Sequence, residues 1–343
     1  MNCRDCVIVV LDHIDSAQID DCVGCRVFLG PASGSVFVRD CSGTALVSVC
    51  QQFRSRDCSG MDVALHCRSK PVLESCREMR FGCCDVEYPE MGDHMRAAGL
   101  DILHNFWPSV YDFTADELKP GERSWDVLPP FSNGEDLLRL KELRGEGGHC
   151  PRHPPSPSLA RPGSCARLRP GRALIPAPRR SSLAETHGGG LQLSGGVPNK
   201  PLRHVLKTMG PNARLGSSYG DSAVVVLVGQ GRGPRDAAVE VAREVQEHLL
   251  SLVNCNWMAD GAGDALSGLE GAIGAELVAA VAQGATAAVE AFGPNCRESV
   301  GKALAAVRAE GHGAKAHILT GEACEAFCKA FMGLGLDEGT RLG

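Results

Sequence analysis

The chain has 343 residues, of which 43% are hydrophobic, 22% charged and only 5% aromatic, and its formal net charge is −6. This length is enough for two or three domains, and the negative charge argues against a protein that binds nucleic acid as a whole. The sequence has no run of 18 apolar residues, which argues against a membrane-spanning helix. It also lacks the Met-Gly start that N-myristoylation requires. We therefore expect a cytoplasmic protein.

Cysteine is unusually frequent, with 17 residues, and it crowds the first quarter of the chain. Because no secretory signal precedes these cysteines, we expect free thiols or metal ligands in a reducing compartment rather than disulfides. The segments "CRDC" at 3–6 and "CVGC" at 22–25 have the spacing of a four-thiolate zinc site, which stays open as an alternative. The longer pattern of cysteines favours a protein without a metal site.

That longer pattern is a repeat of about 18 residues. Cys3, Cys22, Cys41, Cys58 and Cys76 recur at intervals of 19, 19, 17 and 18 residues, with short alternating apolar and polar segments between them. This period, with two or three short strands per repeat and no helical stretch, predicts a parallel β-helix. Each repeat is then one coil, and equivalent residues of successive coils stack about 4.8 Å apart. The cysteines would form an inward column of small buried side chains.

Stacking the coils also predicts two columns on an outer face. Two positions before each cysteine, opposite charges become neighbours as the pairs Asp20–Arg39 and Arg56–Glu74. Four positions before each cysteine, Arg54 has no carboxylate in its column, and Gln52 lies on the same face. A single guanidinium held on a rigid sheet can serve a partner's site by stabilising charge there. An ordinary solvated arginine is the alternative that the residues leave open.

Four longer segments resemble a known family: "IDDCVGCRVFLGPASGSVFVRDC", "CQQFRSRDC", "KPVLESC" and "YPEMGDHMRAAGLDILHNFWPSVYDFT". They are similar to the cofactor C-like domain shared by tubulin-folding cofactor C and the X-linked retinitis pigmentosa protein. The likeness runs over about residues 2–128 and implies a right-handed parallel β-helix, which we assign to residues 1–130. The resembled protein continues upstream with an acylated Met-Gly-Cys terminus, whereas Met1 falls inside a predicted coil.

The resemblance implies a GTPase-activating protein for an Arf-like small GTPase in the GTP state. Arg54 matches the family's arginine finger, and Gln52, Arg56, Glu74 and Phe113 match its partner-binding surface. GTP and Mg²⁺ would come with the partner, so no cofactor and no metal site of the chain's own is expected. The implied role is release and trafficking of lipidated cargo to cilia, with peripheral association at the plasma membrane or ciliary base. The alternative is a non-catalytic scaffold or binding module, that is, a tubulin- or actin-related β-helix, and tubulin is a further candidate partner.

The remaining chain is expected to contain a linker and a second domain. Residues 131–145 have the pattern of a short amphipathic helix, and residues 146–221 are rich in Pro, Gly, Ser and Arg, so 131–221 is predicted to be a largely disordered linker. Residues 222–335 follow the order β-α-(α)-β-α-β-α, which predicts a ferredoxin-like α/β sandwich and resembles a nucleoside-diphosphate-kinase-like domain. Its His312-Gly313 lacks the Ser-Asp that active kinases carry next, so we expect no phosphotransfer. The chain is expected to be a monomer.

Overall fold

The computed structural model describes residues 2–129, 134–138, 194–195, 204–210, 220–247, 250–309 and 313–334. Residues 2–129 form a parallel β-helix, and residues 220–334 contain an antiparallel sheet covered by helices. Within this described part of the chain, no helix has both the length and the apolar character needed to cross a membrane.

The β-helix consists of parallel strands in two stacks. Its strands are β1 Cys3–Arg4, β2 Val7–Val10, β3 Ala17–Asp20, β4 Cys22–Val23, β5 Arg26–Arg39, β6 Ala45–Arg56, β7 Asp62–Cys67, β8 Val72–Glu74, β9 Met79–Cys83, β10 Val86–Glu87, β11 Tyr111–Asp112 and β12 Trp125–Val127. In the first stack, β2, the first halves of β5 and β6, and then β7, β9 and β12 lie side by side. In the second stack, β3, the second halves of β5 and β6, and then β8 and β11 lie side by side. The predicted parallel β-helix is therefore confirmed.

Each coil turns at a corner where two residues adopt a left-handed backbone, and this explains the repeated Asp-Cys-x-Gly pattern. Asp40 has a φ of 52°, and Gly43, three positions later, has a φ of 55°. Asp and Gly adopt this conformation at lower cost than most residues. The corners of the neighbouring coils have the same geometry at Asp21 and Gly24, at Asp57 and Gly60, and at Ser75 and Glu78.

The repeat cysteines point into the β-helix, as predicted. Cys22, Cys41, Cys58 and Cys76 are all at most 2% exposed. The Cys41 and Cys58 thiols donate to carbonyls two residues earlier, with sulfur–oxygen distances of 3.1 and 3.2 Å. The two paired segments of the zinc alternative also lie in the described part of the chain, where no group of three or more His, Cys, Asp or Glu could hold a metal ion. The metal-free expectation stays a prediction.

Helix α1, Met91–Ala97, and two later pieces of chain cover one outer face of the β-helix. The buried carboxylate of Asp85 holds both pieces: Oδ1 accepts from the Gly134 backbone N–H, and Oδ2 accepts from Lys207 Nζ, each at 2.7 Å. Val205 beside them is completely buried. The first piece is helix α2, Gly134–Leu137, and the second is the segment 204–210. A third piece, β13 at Ser194–Gly195, pairs with β10.

The prediction of a disordered linker over 131–221 is therefore wrong for residues 204–210. This short segment lies within a Pro- and Gly-rich composition, but Val205 and Leu206 are at most 1% exposed and each joins a hydrophobic cluster. Lys207 and Thr208 add polar contacts to Asp85 and Cys83. Residues 139–193 lie outside the described residues, as does most of the predicted helix 131–145.

The second domain has a four-stranded antiparallel sheet in the order β15–β16–β14–β17. Helices α3 and α6 pack on one face, and α4, α5 and α7 pack on the other. Strand β15 is absent from the predicted order β-α-(α)-β-α-β-α. The elements are β14 Asp221–Gly229, α3 Gly233–Glu247, β15 Ser251–Met258, α4 Glu270–Ile273, α5 Ala275–Gln283, β16 Ala285–Gly293, α6 Cys296–Ala309, β17 Lys315–Thr320 and α7 Gly321–Phe331.

The segment after α1 connects the two domains. Leu103 is fully buried in the same hydrophobic cluster as α3 and the sheet. Asp101 forms an ion pair with Arg235 at the start of α3, with 2.6 Å between the carboxylate and Nε, and the two side chains are only 18% and 17% exposed. His104 stacks on Trp257 with ring centroids 6.2 Å apart and donates from Nε2 to its carbonyl oxygen at 2.8 Å.

Candidate functional site

The second strand stack presents the predicted columns on its outer face. Phe37, Arg54 and Val72 are register partners on neighbouring strands, and Tyr111 continues this column beyond Val72. The residues between the outward positions face the core, because side chains alternate along a strand. These inward residues are at most 3% exposed, and they are Ile19, Val38, Ser55 and Leu73.

The charged column beside it contains both predicted ion pairs. Arg39 Nε lies 2.9 Å from Asp20 Oδ1, and this hydrogen bond lowers the pKa of Asp20 and raises that of Arg39. Arg56 Nε lies 3.7 Å from Glu74 Oε1, but it is closer, at 3.1 Å, to Asp57 in its own coil. Since the Arg56 and Glu74 side chains are 59% and 46% exposed, solvent screens their attraction, and the pair contributes at most about 1 kcal/mol.

Arg54 differs from its neighbours in having no carboxylate beside it. Its side chain is half-buried, and its Nε is buried without a hydrogen-bond partner in the described part of the chain. Its register partners are the apolar Phe37 and Val72. The stem of Arg54 is thus held by a sheet and by apolar neighbours, so the orientation of its guanidinium does not depend on an ion pair.

Gln52 and Gln51 have separate roles in the same strand. Gln52 Oε1 accepts a hydrogen bond from Ser35 Oγ at 2.9 Å, which fixes its amide on the face that Arg54 occupies. Gln51 points the other way and donates from Nε2 to the Ala98 carbonyl at 3.1 Å, which holds the end of α1. Gln52 is therefore the glutamine that belongs to the candidate site, as predicted from the alternation of the strand.

Phe113 lies beside Glu74 at the edge of the second stack. Its backbone N–H donates to the Leu73 carbonyl at 2.8 Å, so it continues the pairing of β11 with β8. The side chain is 54% exposed, and its ring meets the ring of Tyr111 edge to face at 5.9 Å. The structure thus brings together Arg54, Gln52, Arg56, Glu74 and Phe113 on one face of the β-helix.

Sequence reasoning missed two aromatic residues of this face. In the described part of the chain, the exposed large hydrophobic side chains are Phe37, Tyr111 and Phe113, with exposures of 38%, 51% and 54%. Phe37 stands four positions before a repeat cysteine, like Arg54, so the repeat already placed it in the column. Tyr111 had a weaker signal, because the loop between α1 and β11 hides its register from the repeat.

This face presents a group that can bind an anion. A guanidinium offers a planar fork of donors that matches phosphate or carboxylate oxygens. A nucleophile activated by an adjacent base would need a hydrogen-bonded pair of such groups, and the structure places none beside Arg54 among the residues it describes.

The β-helix domain is similar to several known proteins. Residues 1–113 match the family model for tubulin binding cofactor C. Protein XRP2 from Xenopus laevis is 46% identical over 140 residues, which are 41% of this chain and 39% of that protein. Protein XRP2 from Homo sapiens is 42% identical over 139 residues, 40% of this chain and 39% of that protein. Tubulin-specific chaperone C from Bos taurus is 30% identical over 126 residues, 37% of this chain and 36% of that protein.

One solved structure is also similar, the tubulin binding cofactor C from Leishmania major. It is 23% identical, covers 36% of this chain and 83% of its own, and has a TM-score of 0.31. The chain spans about two-fifths of the length of the curated relatives it matches. The family model and these relatives confirm the resemblance found in the sequence: residues 1–113, about a third of the chain, match the family model for tubulin binding cofactor C.

Proposed function

We propose that residues 1–130 accelerate GTP hydrolysis on an Arf-like small GTPase, with Arg54 as an arginine finger. The observation that carries the proposal is the state of Arg54. It is half-buried on a rigid sheet, and it has no ion-pair or hydrogen-bond partner among the described residues. A cation held in this way without a counter-ion matches the need of a phosphoryl-transfer site for positive charge.

In this mechanism the partner binds GTP and Mg²⁺, and the chain contributes one charge. The guanidinium of Arg54 neutralises negative charge that develops on the phosphate oxygens as water attacks, and such a finger contributes roughly 10³–10⁵ in rate. Because the sheet already orients the side chain, little conformational entropy is lost when it enters the partner's site. Gln52, Arg56, Glu74 and Phe113 contact the partner around it.

The test is single-turnover GTP hydrolysis by candidate Arf-like GTPases with the full chain in excess. Arg54→Ala should abolish the stimulated rate while binding to the GTP-bound partner stays within a few-fold, since the charge acts mainly in the transition state. Arg54→Lys should rescue poorly, because an ammonium lacks the planar fork. Arg123→Ala, an exposed arginine next to the other strand stack, is the matched control. Full stimulation by Arg54→Ala would exclude the finger role.

A second candidate function is binding without catalysis, with tubulin as the partner. It is favoured by the match of residues 1–113 to the tubulin binding cofactor C model and by the similarity to tubulin-specific chaperone C. Sedimentation of the full chain with purified tubulin dimers tests it. Co-sedimentation that survives Arg54→Ala, together with no stimulated hydrolysis by wild type, would favour this scaffold over the GTPase activator.

We further infer a role in release and trafficking of lipidated cargo to cilia, with peripheral attachment at the membrane. For residues 222–335 we propose a ferredoxin-like, nucleoside-diphosphate-kinase-like domain without phosphotransfer. The strand order β15–β16–β14–β17 supports this topology, and the missing Ser-Asp after His312-Gly313 supports inactivity. Transfer of phosphate from ATP to GDP by the full chain, above a blank, would contradict the inactive assignment.

A further inference from the structure

The exposed aromatic side chains of the described residues are concentrated around Arg54. Phe37, Tyr111 and Phe113 are 38%, 51% and 54% exposed, whereas other large hydrophobic side chains in the described part of the chain are buried or half-buried. Exposed apolar side chains scattered singly need no explanation, but a contiguous patch marks a binding surface. We call these three residues the aromatic rim.

The rim flanks Arg54 on both sides. Phe37 is its register partner on one neighbouring strand, and Tyr111 lies two strands away on the other side, beyond Val72. With about 4.8 Å between strands, Phe37 and Tyr111 are roughly 14 Å apart along the column. Phe113 extends the rim into the next column and meets Tyr111 edge to face. In the register of the strands, the Arg54 position therefore lies between those of Phe37 and Tyr111.

The rim is rigid although it is exposed. Phe37 belongs to β5, which pairs with strands on both sides. β11 is held by Asp112, which accepts hydrogen bonds from the Thr114 backbone N–H at 2.9 Å and from the Ser124 hydroxyl. The Thr114 hydroxyl in turn accepts from the Ser75 backbone N–H at 2.9 Å. Rigid rings with few rotatable bonds lose little entropy on binding, which is why aromatic residues and arginine dominate the centres of interfaces.

We propose that Phe37 and Tyr111, together with Phe113, form the surface that docks on the GTP-bearing face of the partner, and that this rim determines affinity while Arg54 determines rate. This inference rests on the proposed function. The three rings expose roughly 300 Å² between them, the size of a functional patch on a monomer. An uncompensated cation inside an apolar rim is complementary to a protein surface that holds phosphate in a cleft with apolar edges.

The rim and Arg54 act at different stages. Docking removes the apolar surface of the rings from water, so removing one ring should weaken binding. Once the complex forms at saturating concentration, Arg54 should still reach the phosphate.

The experiment titrates the full chain against a GTP-loaded Arf-like GTPase and separates apparent affinity from the maximal single-turnover rate. Phe37→Ala and Tyr111→Ala should each weaken apparent affinity about tenfold or more, with the maximal rate within about threefold of wild type. Arg54→Ala should instead lower the maximal rate and leave the apparent affinity within a few-fold of wild type. Tyr111→Phe keeps the ring and should bind like wild type, and Arg123→Ala is the control outside the rim.

The outcomes distinguish the rim from the proposed function. If wild type stimulates hydrolysis but Phe37→Ala and Tyr111→Ala bind as tightly as wild type, the rim inference is wrong and the finger stands. If wild type neither binds nor stimulates any candidate GTPase, the proposed function fails and the rim inference with it. Thermal unfolding of each variant checks the fold, and Phe37 and Tyr111 lie on different strands, so a fold defect in one leaves the other as the test.

Discussion

The ion pair between Asp101 and Arg235 should make a large contribution to docking of the second domain. Asp101→Asn keeps the shape of the side chain and its hydrogen bond from the Leu103 N–H, but leaves Arg235 without its closest counter-ion. Breaking a buried pair on one side costs about 3–5 kcal/mol. Both side chains are about one-sixth exposed, and Arg235 retains Asp236 at 2.8 Å, so we expect a loss of about 2–3 kcal/mol.

Urea unfolding of the full chain, followed by tryptophan fluorescence, measures this loss, because Trp257 lies in the same interface. The control is Lys302→Met, which removes an ion pair to Glu298 whose side chains are 64% and 68% exposed; it should cost little stability, because solvent screens an exposed pair. A loss for Asp101→Asn no larger than for this control would refute the assignment of Asp101–Arg235 as a buried pair.

The same pair should respond to acid. Burial, the largest single effect, would raise the pKa of Asp101, but the hydrogen bonds from Arg235 and the Leu103 backbone N–H, together with the charge of Arg235, outweigh it and hold the pKa below its usual value. The stabilisation is therefore complete above the unfolded pKa near 4 and is lost as the pH falls through the folded value. The difference in stability between wild type and Asp101→Asn should shrink at the same low pH.

Two further predictions concern single positions. Gly43→Ala should destabilise the β-helix by about 1–2 kcal/mol, because the φ of Gly43 is 55°. Gly301→Ala, inside α6 with open space around it, should instead stabilise the protein by about 0.5–1 kcal/mol. Equal effects of the two changes in thermal unfolding would contradict the corner geometry. Burial lowers the pKa of His66 to about 4. The contribution of His66 to stability should therefore be complete above the unfolded pKa of about 6.5, and it should decrease as the pH is lowered from about 6.5 to about 4. A His66→Gln variant with the same pH dependence of unfolding as wild type would contradict this.

The β-helix could be predicted in detail because its repeat encodes geometry directly. Once the cysteines set the period, the residues two and four positions before them had to stack, and the Asp20–Arg39 and Arg56–Glu74 pairs followed from the register. The exposure of these pairs did not follow, because a repeat specifies which residues are neighbours but not how much solvent reaches them. The closer contact of Arg56 with Asp57 was missed for the same reason.

Features that depend on distant parts of the chain were not predictable in this way. Residues 204–210 show no periodicity, and their burial comes from surfaces that α1, β9 and the second domain provide. Strand β15 was missed because a short apolar segment after a helix has the same local pattern whether it forms a strand or continues the helix. Tyr111 joined the candidate site only through the pairing of β11 with β8, some forty residues apart in sequence.

Asp85 has a consequence for how this protein tolerates change. One buried carboxylate accepts hydrogen bonds from Gly134 and from Lys207, so two positions far apart in the sequence are held at the same place. A substitution at Asp85 would therefore release two attachments at once, whereas a change at Lys207 would release only one. Asp85 is for this reason a position at which the protein should tolerate little change.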